Sequence, residues 1–419
     1  MPDASKLYKP EFWSNPEQVH QLFTEMRHEA PVYWCRTKDY PDLWHVTRHT
    51  DVVAIENAPE VFLSAPRMTI NTLAREEAVR SITGGRPYMI KPLNAMDLPE
   101  HQPMRAVVQQ HFTPARIKQL KSSVDRKARD AIARMSEANG RCDFSSQIAF
   151  EYPLRVIMPI LGVPEKDYSF LFRLTKQLFS PEDPDNRRPG VDLKTDPAKD
   201  MKEIHKDFYD YFSSLLIEKR KKPSQDLITE IASAMSKVKY MDQASAIHYC
   251  ILLATAGHDT TSYSLSEAIY HITLNSSLLT QLQKDPVTIS AKIAEEAFRL
   301  AAPTRHFIRT ASQEAIIAGH RFRAGDSIIL WFPSACRDEL VCPDPHILRI
   351  DRHYKVPQSA FGSGPHVCLG MHLARLELIC FLQEFGRRIQ SIDLLAPPRY
   401  TESNFVGGIK SLPIQYQWH

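Results

Sequence analysis

The sequence predicts a mainly α-helical fold with small β-sheets, an α+β architecture, in one domain that covers residues 1–419. Apolar residues recur with the period of an amphipathic helix through most of residues 100–300 and again at 369–388. Strand-like segments are short and concentrate at residues 30–70 and 304–335. We find no internal repeat, so the sequence does not predict a helical solenoid.

The predicted elements follow in chain order. A helical pattern at 16–27 precedes two strand-like segments, VYWC at 32–35 and LWHV at 43–46. Helical patterns then cover 115–136, 147–160, 165–179, 200–220, 224–236, 242–275 and 287–300. Strand patterns return at 314–332, where AIIAG and SIILWF flank HRFRAGD with a hairpin-like spacing, and at SLPIQYQW near the C-terminus.

One segment, residues 180–200, interrupts the helical pattern. It is rich in proline and in charged residues. A segment of this length within a folded domain is either a lid over a site or a disordered insert, and the sequence leaves both open.

The composition argues against several classes of protein. A net charge of +3 and an isoelectric point near 8.4 are too mild to predict nucleic-acid binding. The N-terminus lacks an apolar signal segment, and no run of about eighteen apolar residues occurs, so we predict a cytoplasmic protein without a membrane span. The seven cysteines are scattered and form no CxxC pair, which argues against a disulfide scaffold or a zinc cluster.

The segment FGSGPHVCLG at 361–370 places three of the chain's 14 glycines within ten residues, next to Cys368. Glycine can adopt backbone conformations closed to other residues, and the proline stiffens the turn. A helical pattern starts directly after Cys368. Free N–H groups at a helix start favour an anion, so we expect the Cys368 thiol to ionise easily.

A thiolate on a rigid loop is a metal ligand or a nucleophile. For an arbitrary cysteine, a buried structural role is the most common one. Because His366 is near enough in sequence to act as a base, a cysteine hydrolase also remains open at this stage.

The pattern Phe361-x-x-Gly364-x-x-x-Cys368-x-Gly370 resembles the haem-binding signature of the cytochrome P450 family. The resemblance implies the fold of that family, a triangular helical body with a long central helix over the haem. It also implies that Cys368 is the axial thiolate ligand of the iron in haem b.

The hexapeptide AGHDTT at 256–261 lies in the middle of the helical pattern 242–275, which would span about 50 Å. An interior glycine weakens a helix, and a threonine hydroxyl can bond to the carbonyl four residues earlier and bend it. A close helix crossing explains these small residues equally well. The hexapeptide also resembles the family's oxygen-binding groove, which implies that Ala256 and Gly257 lie at the haem, that Thr260 assists oxygen activation and that Asp259 gates proton delivery.

Glu296 and Arg299 are three residues apart, so by themselves they predict an exposed ion pair on one helix face. They resemble the family's ExxR motif, and PDPHILRIDR at 343–352 resembles the segment that supplies its third member. The resemblance implies a buried structural triad of Glu296, Arg299 and Arg352.

His101 and Arg105 lie one helical turn apart in DLPEHQPMR at 97–105. Single residues of these types are usually solvated, but the segment resembles the family's HxxxR element. The resemblance implies that both bind the haem propionates, together with Arg309 and His366. The sequence departs from the family at Leu98, where a second proline is common; this departure loosens the turn.

The family resemblance also indicates the substrate. It implies substrate contacts at Tyr88, Met89, Leu252, Thr255, Ala256, Arg305, Phe307, Phe405 and Val406. Arg305 either reaches the pocket to meet a polar end of the substrate or turns outward. SITGG at 81–85, TAGHDTTS and SNFVGG at 403–408 resemble bacterial hydroxylases of monoterpene alcohols such as terpineol, so we predict a compact hydrophobic terpenoid substrate; a steroid or fatty-acid side chain is the alternative.

The reaction that the resemblance implies is the insertion of one atom of dioxygen into a C–H bond. No flavin or iron–sulfur domain is recognised, so a separate ferredoxin with its reductase would supply electrons to a monomeric enzyme. Six basic residues form either a docking patch for an acidic ferredoxin or an ordinary solvated face: Arg116, Lys118, Lys121, Arg126, Lys127 and Arg129. A non-catalytic haem sensor is a further alternative, against which the Asp259–Thr260 pair argues.

Overall fold

The computed structural model describes residues 2–191, 195–196, 198–352 and 358–419. Its α-helices are α1 Pro16–Glu29, α2 His49–Glu56, α3 Leu73–Thr83, α4 His101–Gln109, α5 Pro114–Gln119, α6 Lys121–Ser136, α7 Glu151–Leu161, α8 Tyr168–Phe179, α9 Lys199–Lys221, α10 Leu227–Ala234, α11 Gln243–Ala256, α12 Asp259–Leu274, α13 Ser276–Lys284, α14 Pro286–Ala301, α15 Phe332–Ala335 and α16 Met371–Arg388. Its strands are β1 Val32–Cys35, β2 Leu43–Val46, β3 Phe62–Leu63, β4 Arg141–Asp143, β5 His306–Ala311, β6 Ala315–Ile317, β7 His320–Phe322, β8 Ser327–Trp331, β9 Ile389–Leu394, β10 Arg399–Tyr400, β11 Ile409–Ser411 and β12 Pro413–Trp418. The predicted mainly α fold with small sheets is confirmed.

Polar side chains cap several helices at the positions where the apolar period begins. Asp242 accepts a hydrogen bond from the Ser245 N–H at 2.7 Å and thereby starts α11. Asp285 does the same for α14, from the Thr288 N–H at 3.0 Å. Such caps satisfy N–H groups that the helix leaves free and are worth about 1 kcal/mol each.

The helix after the cysteine, α16, anchors the core beneath the cavity described below. Leu378, Phe381, Leu382 and Phe385 have the spacing of one helix face, and each is fully buried. This face packs against α14 and α6. Burial of side chains of this size stabilises the fold by about 1.5–3 kcal/mol each, so the start of α16 is held on a rigid base.

The largest sheet has the strand order β1-β2-β8-β5-β3. The predicted hairpin between AIIAG and SIILWF is wrong in its pairing. Strand β6 pairs with β7 across a turn in which Ala318 and Gly319 both have positive φ angles. Strand β8 is buried along its whole length, and it lies between β5 and β2. An apolar strand of this kind requires two neighbours in the sheet.

The predicted long helix 242–275 is interrupted. Residues 257 and 258 form a turn between α11 and α12. The Thr260 hydroxyl donates to the Ala256 carbonyl oxygen at 2.8 Å, which confirms the predicted bond four residues back. A Cβ atom on Gly257 would lie 3.3 Å from Cγ1 of Ile157, so the glycine permits a close crossing with α7.

Other boundaries also differ from the predictions. The pattern 115–136 divides into α5 and α6, because the Leu120 N–H bonds the Ile117 carbonyl three residues earlier and forms a tight turn. Helices α3 and α13 were not predicted. None of the helices in the described ranges combines the length and hydropathy of a membrane-spanning helix.

The first part of the segment 180–200 is fixed to the body of the protein. Asp183 is fully buried, accepts the Glu402 N–H at 2.8 Å and forms an ion pair with Lys410 at 2.9 Å. Pro181 and Glu182 line the cavity. These contacts of residues 181–183 favour the lid alternative for the start of the segment; residues 192–194 and 197, which also belong to the segment 180–200, lie outside the described residues.

Candidate functional site

A cavity of about 630 Å³ lies between α11, the turn that follows it and the segment before α16. We call residues 360–370 the cysteine wall. We call the lining residues of segments 68–72, 88–95, 179–182 and 403–406 the facing wall. The cavity brings together predicted residues from distant parts of the chain: His101, Arg105, Ala256, Gly257, Thr260, Arg309, Phe361, His366, Cys368 and Gly370.

The cysteine wall is a tight loop that depends on glycine. The Cys368 N–H donates to the Phe361 carbonyl oxygen at 2.8 Å. Gly364 does not line the cavity, but its φ of +64° is left-handed, and a Cβ atom there would lie 2.2 Å from the Glu56 carbonyl oxygen. No other residue fits this position without a backbone shift.

Cys368 exposes its side chain to the cavity, whereas the other six cysteines are buried. Burial within the protein raises the pKa of the Cys368 thiol, although the N–H groups of Gly370 and Met371 and the charges of Arg105 and Arg375 lower it in part. The expectation that this thiol ionises easily is therefore wrong for the chain alone. A bound metal ion would hold it as thiolate, because ligation deprotonates a thiol.

Two imidazoles and two guanidinium groups meet at one side of the cavity. The rings of His101 and His366 lie 4.1 Å apart, and the Arg105 guanidinium donates to the Val367 carbonyl oxygen at 2.8 Å. Burial, with Arg309 as the next cause, lowers the pKa of His366 to about 2. His366 Nε2 contacts the Ser64 hydroxyl at 3.1 Å and makes no hydrogen bond to Cys368, so the geometry does not support a cysteine hydrolase.

The predicted structural residues form a buried network behind the cysteine wall. Arg299 donates to both Glu296 carboxylate oxygens at 2.9 Å, and Arg352 Nε donates to Oε2 at 3.1 Å. Arg299 also donates to the carbonyl oxygens of Cys336 and Ile347. Next to this network the rings of Phe298 and Phe361 lie 4.8 Å apart. The network therefore supports the loop that carries Cys368.

Asp259 does not line the cavity; it lies one residue behind Thr260 and is almost fully buried. Its Oδ1 atom is 2.8 Å from Nδ1 of His258, which is also fully buried. His258 was not among the predicted site residues. Only its position inside AGHDTT could have indicated a role.

Most predicted substrate contacts line the cavity: Tyr88, Met89, Leu252, Thr255, Ala256, Phe307, Phe405 and Val406. Arg305 does not, and both predictions for it are wrong. It is only 4% exposed, its guanidinium lies 4.1 Å from the centre of the Trp13 ring, and it donates to the Thr401 carbonyl oxygen at 3.4 Å. Strand alternation cannot distinguish an inner pocket from the packed interior behind it, because both lie on the buried face.

The sequence and the fold match known proteins. The family model for Cytochrome P450 matches residues 12–399 of the chain. The chain belongs to the cytochrome P450 family. Cytochrome P450-terp from a Pseudomonas species is 35% identical over 416 residues, which cover 99% of this chain and 97% of that protein.

Two further comparisons agree with this P450 assignment. Linalool 8-monooxygenase from Pseudomonas putida is 27% identical over 409 residues, 97% of this chain and 98% of that protein. The crystal structure of CYP108D1 from Novosphingobium aromaticivorans matches with a TM-score of 0.90 and 31% identity, and covers 100% of both chains. The predicted P450 fold is confirmed, and the protein is an oxidoreductase of the monooxygenase type.

The cavity fits haem, the cofactor of the P450 family. Cys368 offers a sulfur ligand, and a Cβ atom on Gly370 would meet nothing within 4 Å, which leaves room beside it. His101 Nε2 is buried without a hydrogen-bond partner in the described part of the chain. Within the described residues, neither Arg105 nor Arg309 forms an ion pair with a carboxylate. These groups could hold two propionates.

Sequence reasoning also missed Asn94 in the facing wall. Asn94 lines the cavity, and its Oδ1 atom is buried without a hydrogen-bond partner among the described residues. No motif marks it, since only the fold brings this short turn to the cavity.

Proposed function

We propose that this P450 hydroxylates a compact, mostly apolar terpenoid alcohol, with Cys368 as the iron ligand of haem b. The observation that carries the proposal is the cavity that joins Cys368, Thr260 and a mostly apolar facing wall. Haem, when bound, supplies the iron at which dioxygen is bound and activated.

The residues of the cysteine wall and its neighbours would hold the cofactor. Buried groups bind carboxylates through charge-assisted hydrogen bonds, which are about twice as strong as neutral ones. The propionate-binding set is His101, Arg105, Arg309 and His366. Ala256, Gly257, Phe361 and Gly370 shape the space for the flat macrocycle, and Gly364 permits the turn of the loop. Glu296, Arg299 and Arg352 act only as structural support.

Asp259 and Thr260 would handle the protons that the reaction consumes. The Thr260 hydroxyl lies at the cavity surface and already donates to the Ala256 carbonyl oxygen. It can therefore accept another hydrogen bond from a polar group in the cavity. Asp259, buried one residue earlier, is the nearest ionisable group on this helix start and would supply the proton that Thr260 passes on.

The apolar lining supports a compact hydrophobic substrate. Met89, Leu252, Phe307, Phe405 and Val406 present carbon surface to the cavity. Two relatives have terpene-related names, P450-terp and linalool 8-monooxygenase. A steroid or a fatty-acid side chain is the alternative substrate.

Asn94 supports an alcohol over a plain hydrocarbon. A buried amide without a hydrogen-bond partner costs free energy, about 1–3 kcal/mol. Its side-chain oxygen can accept a hydrogen bond from a substrate hydroxyl. We therefore include in the proposal that the substrate carries a hydroxyl group, which Asn94 binds.

The electron donor would be a ferredoxin with its reductase. The basic residues of α5 and α6 are exposed except for half-buried Lys127, and α6 packs on α16, the helix that follows Cys368. An acidic ferredoxin would bind this face weakly and in a salt-dependent manner. The single domain, the monomeric state and the cytoplasmic location stay predictions.

The first experiment tests the thiolate ligand. We expect purified protein to bind haem and to give a thiolate-type carbon monoxide spectrum, and we expect Cys368→Ala to lose that spectrum. Cys342→Ala, a change at a buried cysteine that does not line the cavity, is the matched control. Retention of the thiolate-type spectrum in Cys368→Ala would exclude this ligand.

The second experiment tests the substrate and the sensor alternative. α-Terpineol should saturably shift the ferric Soret band from low spin to high spin as it displaces water. In Thr260→Ala the shift should remain, while electrons are diverted to hydrogen peroxide. If α-terpineol causes no shift but a steroid or a fatty acid does, that class of compound replaces the terpenoid as the proposed substrate. If Thr260→Ala releases no more hydrogen peroxide than the wild type, a non-catalytic sensor is favoured.

A further inference from the structure

The inference concerns Glu56, the last residue of α2. Glu56 is only 5% exposed and lines the cavity. The Ser363 hydroxyl of the cysteine wall donates to Glu56 Oε2 at 3.0 Å. The other carboxyl oxygen, Oε1, lies so close to Gly362 that a Cβ atom there would be 3.0 Å away. The fold therefore places a buried carboxyl group directly against the loop that carries Cys368.

The positive group that acts on Glu56 is Arg309 of β5. Arg309 is also buried and lines the cavity, and within the described chain its side chain donates to the Ile308 carbonyl oxygen at 3.1 Å. Burial lowers the pKa of Arg309, while Glu56 and, after it, Asp97 raise it. Glu56 and Arg309 therefore attract each other without a direct hydrogen bond, and the guanidinium keeps its donors for another acid.

The protonation state of Glu56 is balanced near neutral pH. Burial raises the pKa of Glu56 to about 7, and Arg309 and the hydrogen bonds from Ser363 keep it from rising further. Glu377 is a second buried acid that lines the cavity, but no charge offsets its burial, which raises its pKa well above the ordinary range. Of these two acids, Glu56 is the one whose charge can change near neutral pH.

The charges around Glu56 would not balance with the cofactor bound. The proposed propionate site has two permanent positive charges, on Arg105 and Arg309. Its two imidazoles, those of His101 and His366, are neutral because burial lowers the pKa of both. Two propionates would compensate the two guanidinium groups. An ionised Glu56 would then add an uncompensated negative charge in a buried place, which costs free energy.

A single side chain connects Glu56 with water. Ser363 accepts a hydrogen bond from Asn57 Nδ2 at 3.2 Å and donates its own hydrogen to Glu56. Asn57 is exposed and Ser363 is half-buried. The carboxyl group is therefore one hydroxyl group away from the protein surface, and it can exchange a proton with water without a longer relay.

We propose that Glu56 is a redox-linked acid of the haem site, which takes up one proton from water when the bound cofactor gains an electron. The proposal rests on the haem site proposed above and adds a residue that compensates the charge of the electron. Glu56 acts on the cofactor through its charge and through Arg309, and it is not a catalytic residue.

One electron and one proton enter the site together. The electron comes from the ferredoxin-type donor, and the proton comes from water beside Asn57 and Ser363. The added negative charge raises the pKa of Glu56, and an O–H bond forms on one of its carboxyl oxygens. The total charge of the site therefore stays the same. When the electron leaves again, this O–H bond breaks and the proton returns to water.

The closing experiment is a redox titration of the haem-loaded protein from about pH 6 to about pH 9. Glu56 has a lower pKa in the oxidised protein than in the reduced one. Between these two values reduction binds a proton, so the midpoint potential should fall as the pH rises. The limit is about 59 mV per pH unit, the value for one proton per electron. Outside this range Glu56 contributes no slope.

Two variants at α2 assign the slope. Glu56→Gln should remove it, because the amide oxygen can still accept the Ser363 hydroxyl but the side chain binds no proton. Asp51→Asn is the matched control, since Asp51 is a buried acid of the same helix whose pKa is also raised by burial, but it does not line the cavity. Its variant should keep the wild-type slope. A slope that persists in Glu56→Gln, or a wild-type potential independent of pH, would overturn the proposal.

Two further measurements separate this role from a structural one. Ser363→Ala keeps the carboxyl group but removes a hydroxyl that lowers its pKa, so the sloping range should move to higher pH. An infrared difference spectrum between the reduced and the oxidised protein should show a protonated carboxyl band in the reduced form, and Glu56→Gln should lack this band. The same band in Glu56→Gln, or an unmoved range in Ser363→Ala, would contradict the assignment to Glu56.

The carbon monoxide spectrum of the same samples reports the haem-thiolate site independently. A thiolate-type spectrum together with a potential that does not depend on pH would refute only the role of Glu56. Loss of that spectrum in the wild type would refute the proposed haem site and this inference with it, so the two failures are distinguishable.

Discussion

The cysteine wall and the facing wall of the cavity are held by different kinds of contact. Behind the cysteine wall, charged groups that are fully buried satisfy one another, as Glu296 and Arg299 do. The facing wall consists of loop segments, and a neutral group, His306, ties two of them together by bonding Ile70 and Asn404. The difference predicts that loss of the buried network disturbs the fold around the Cys368 loop, whereas changes in the facing wall should affect that loop little.

The largest expected effect comes from breaking the rigid network. Glu296→Gln leaves Arg299 and Arg352 without their buried partner, and loss of one member of a buried ion pair costs about 3–5 kcal/mol. We expect a large fall in thermal stability and loss of haem.

The matched control is the next residue, Glu295→Gln. Glu295 pairs with Arg375 in a half-exposed bridge, for which a cost of up to about 1 kcal/mol is expected. Equal stability losses in the two variants would contradict the special role of the buried network.

The next effect concerns the backbone of the cysteine wall. Gly364→Ala should destabilise the protein by more than about 2 kcal/mol, because the left-handed conformation alone costs about 1–2 kcal/mol and the Cβ atom meets the Glu56 carbonyl. Gly319→Ala has a similar φ of +76° and no atom within 4 Å, so it measures the backbone term alone. Chemical denaturation of both variants measures the loss of unfolding free energy in each. Equal losses would show that the loop has another conformation.

The facing wall should loosen in acid. Burial lowers the pKa of His306 to about 3, well below the ordinary value near 6.5. Between these two values the unfolded chain binds more protons than the folded protein does. The free energy of unfolding of this wall therefore falls by about 1.4 kcal/mol for each pH unit below 6.5. Hydrogen exchange near Ile70 and Asn404, corrected for intrinsic rates, should therefore speed up between pH 7 and pH 5. Unchanged protection there would contradict the neutral role of His306.

The smallest effect is confined to substrate choice. Asn94→Leu removes the proposed acceptor and should weaken α-terpineol binding by about 1 kcal/mol, or roughly fivefold. Binding of a hydrocarbon analogue without the hydroxyl should not weaken, and stability and haem content should stay at the wild-type level. A parallel loss for both ligands would indicate a packing change and remove Asn94 from the proposal.

The same contrast explains what the sequence could predict. The loop around Cys368 and the ExxR pair are local patterns, and the structure brings their residues to the cavity and the network behind it. Arg305 was misplaced because alternation along a strand does not show which buried space lies beyond it. Asn94 was missed because only the fold brings its turn to the cavity, and His258 was missed because the Phe150 carbonyl that it contacts belongs to a distant segment. The predicted pairing of β8 was wrong because the residues around a turn do not reveal which strands of the sheet lie beside it.

The ionisation of Cys368 shows a further limit. The helix start was read correctly, but burial outweighs it and raises the pKa of the thiol. Burial depends on the whole fold, and a ten-residue pattern does not contain it.

Isotope labelling tests whether this enzyme inserts one atom of dioxygen into a compact alcohol. The protein, a bacterial ferredoxin with its reductase, and α-terpineol are incubated under ¹⁸O₂, and the product is analysed by mass spectrometry. We predict a hydroxylated product that carries one ¹⁸O atom. Electron consumption with no labelled product, although α-terpineol shifts the Soret band, would contradict the account.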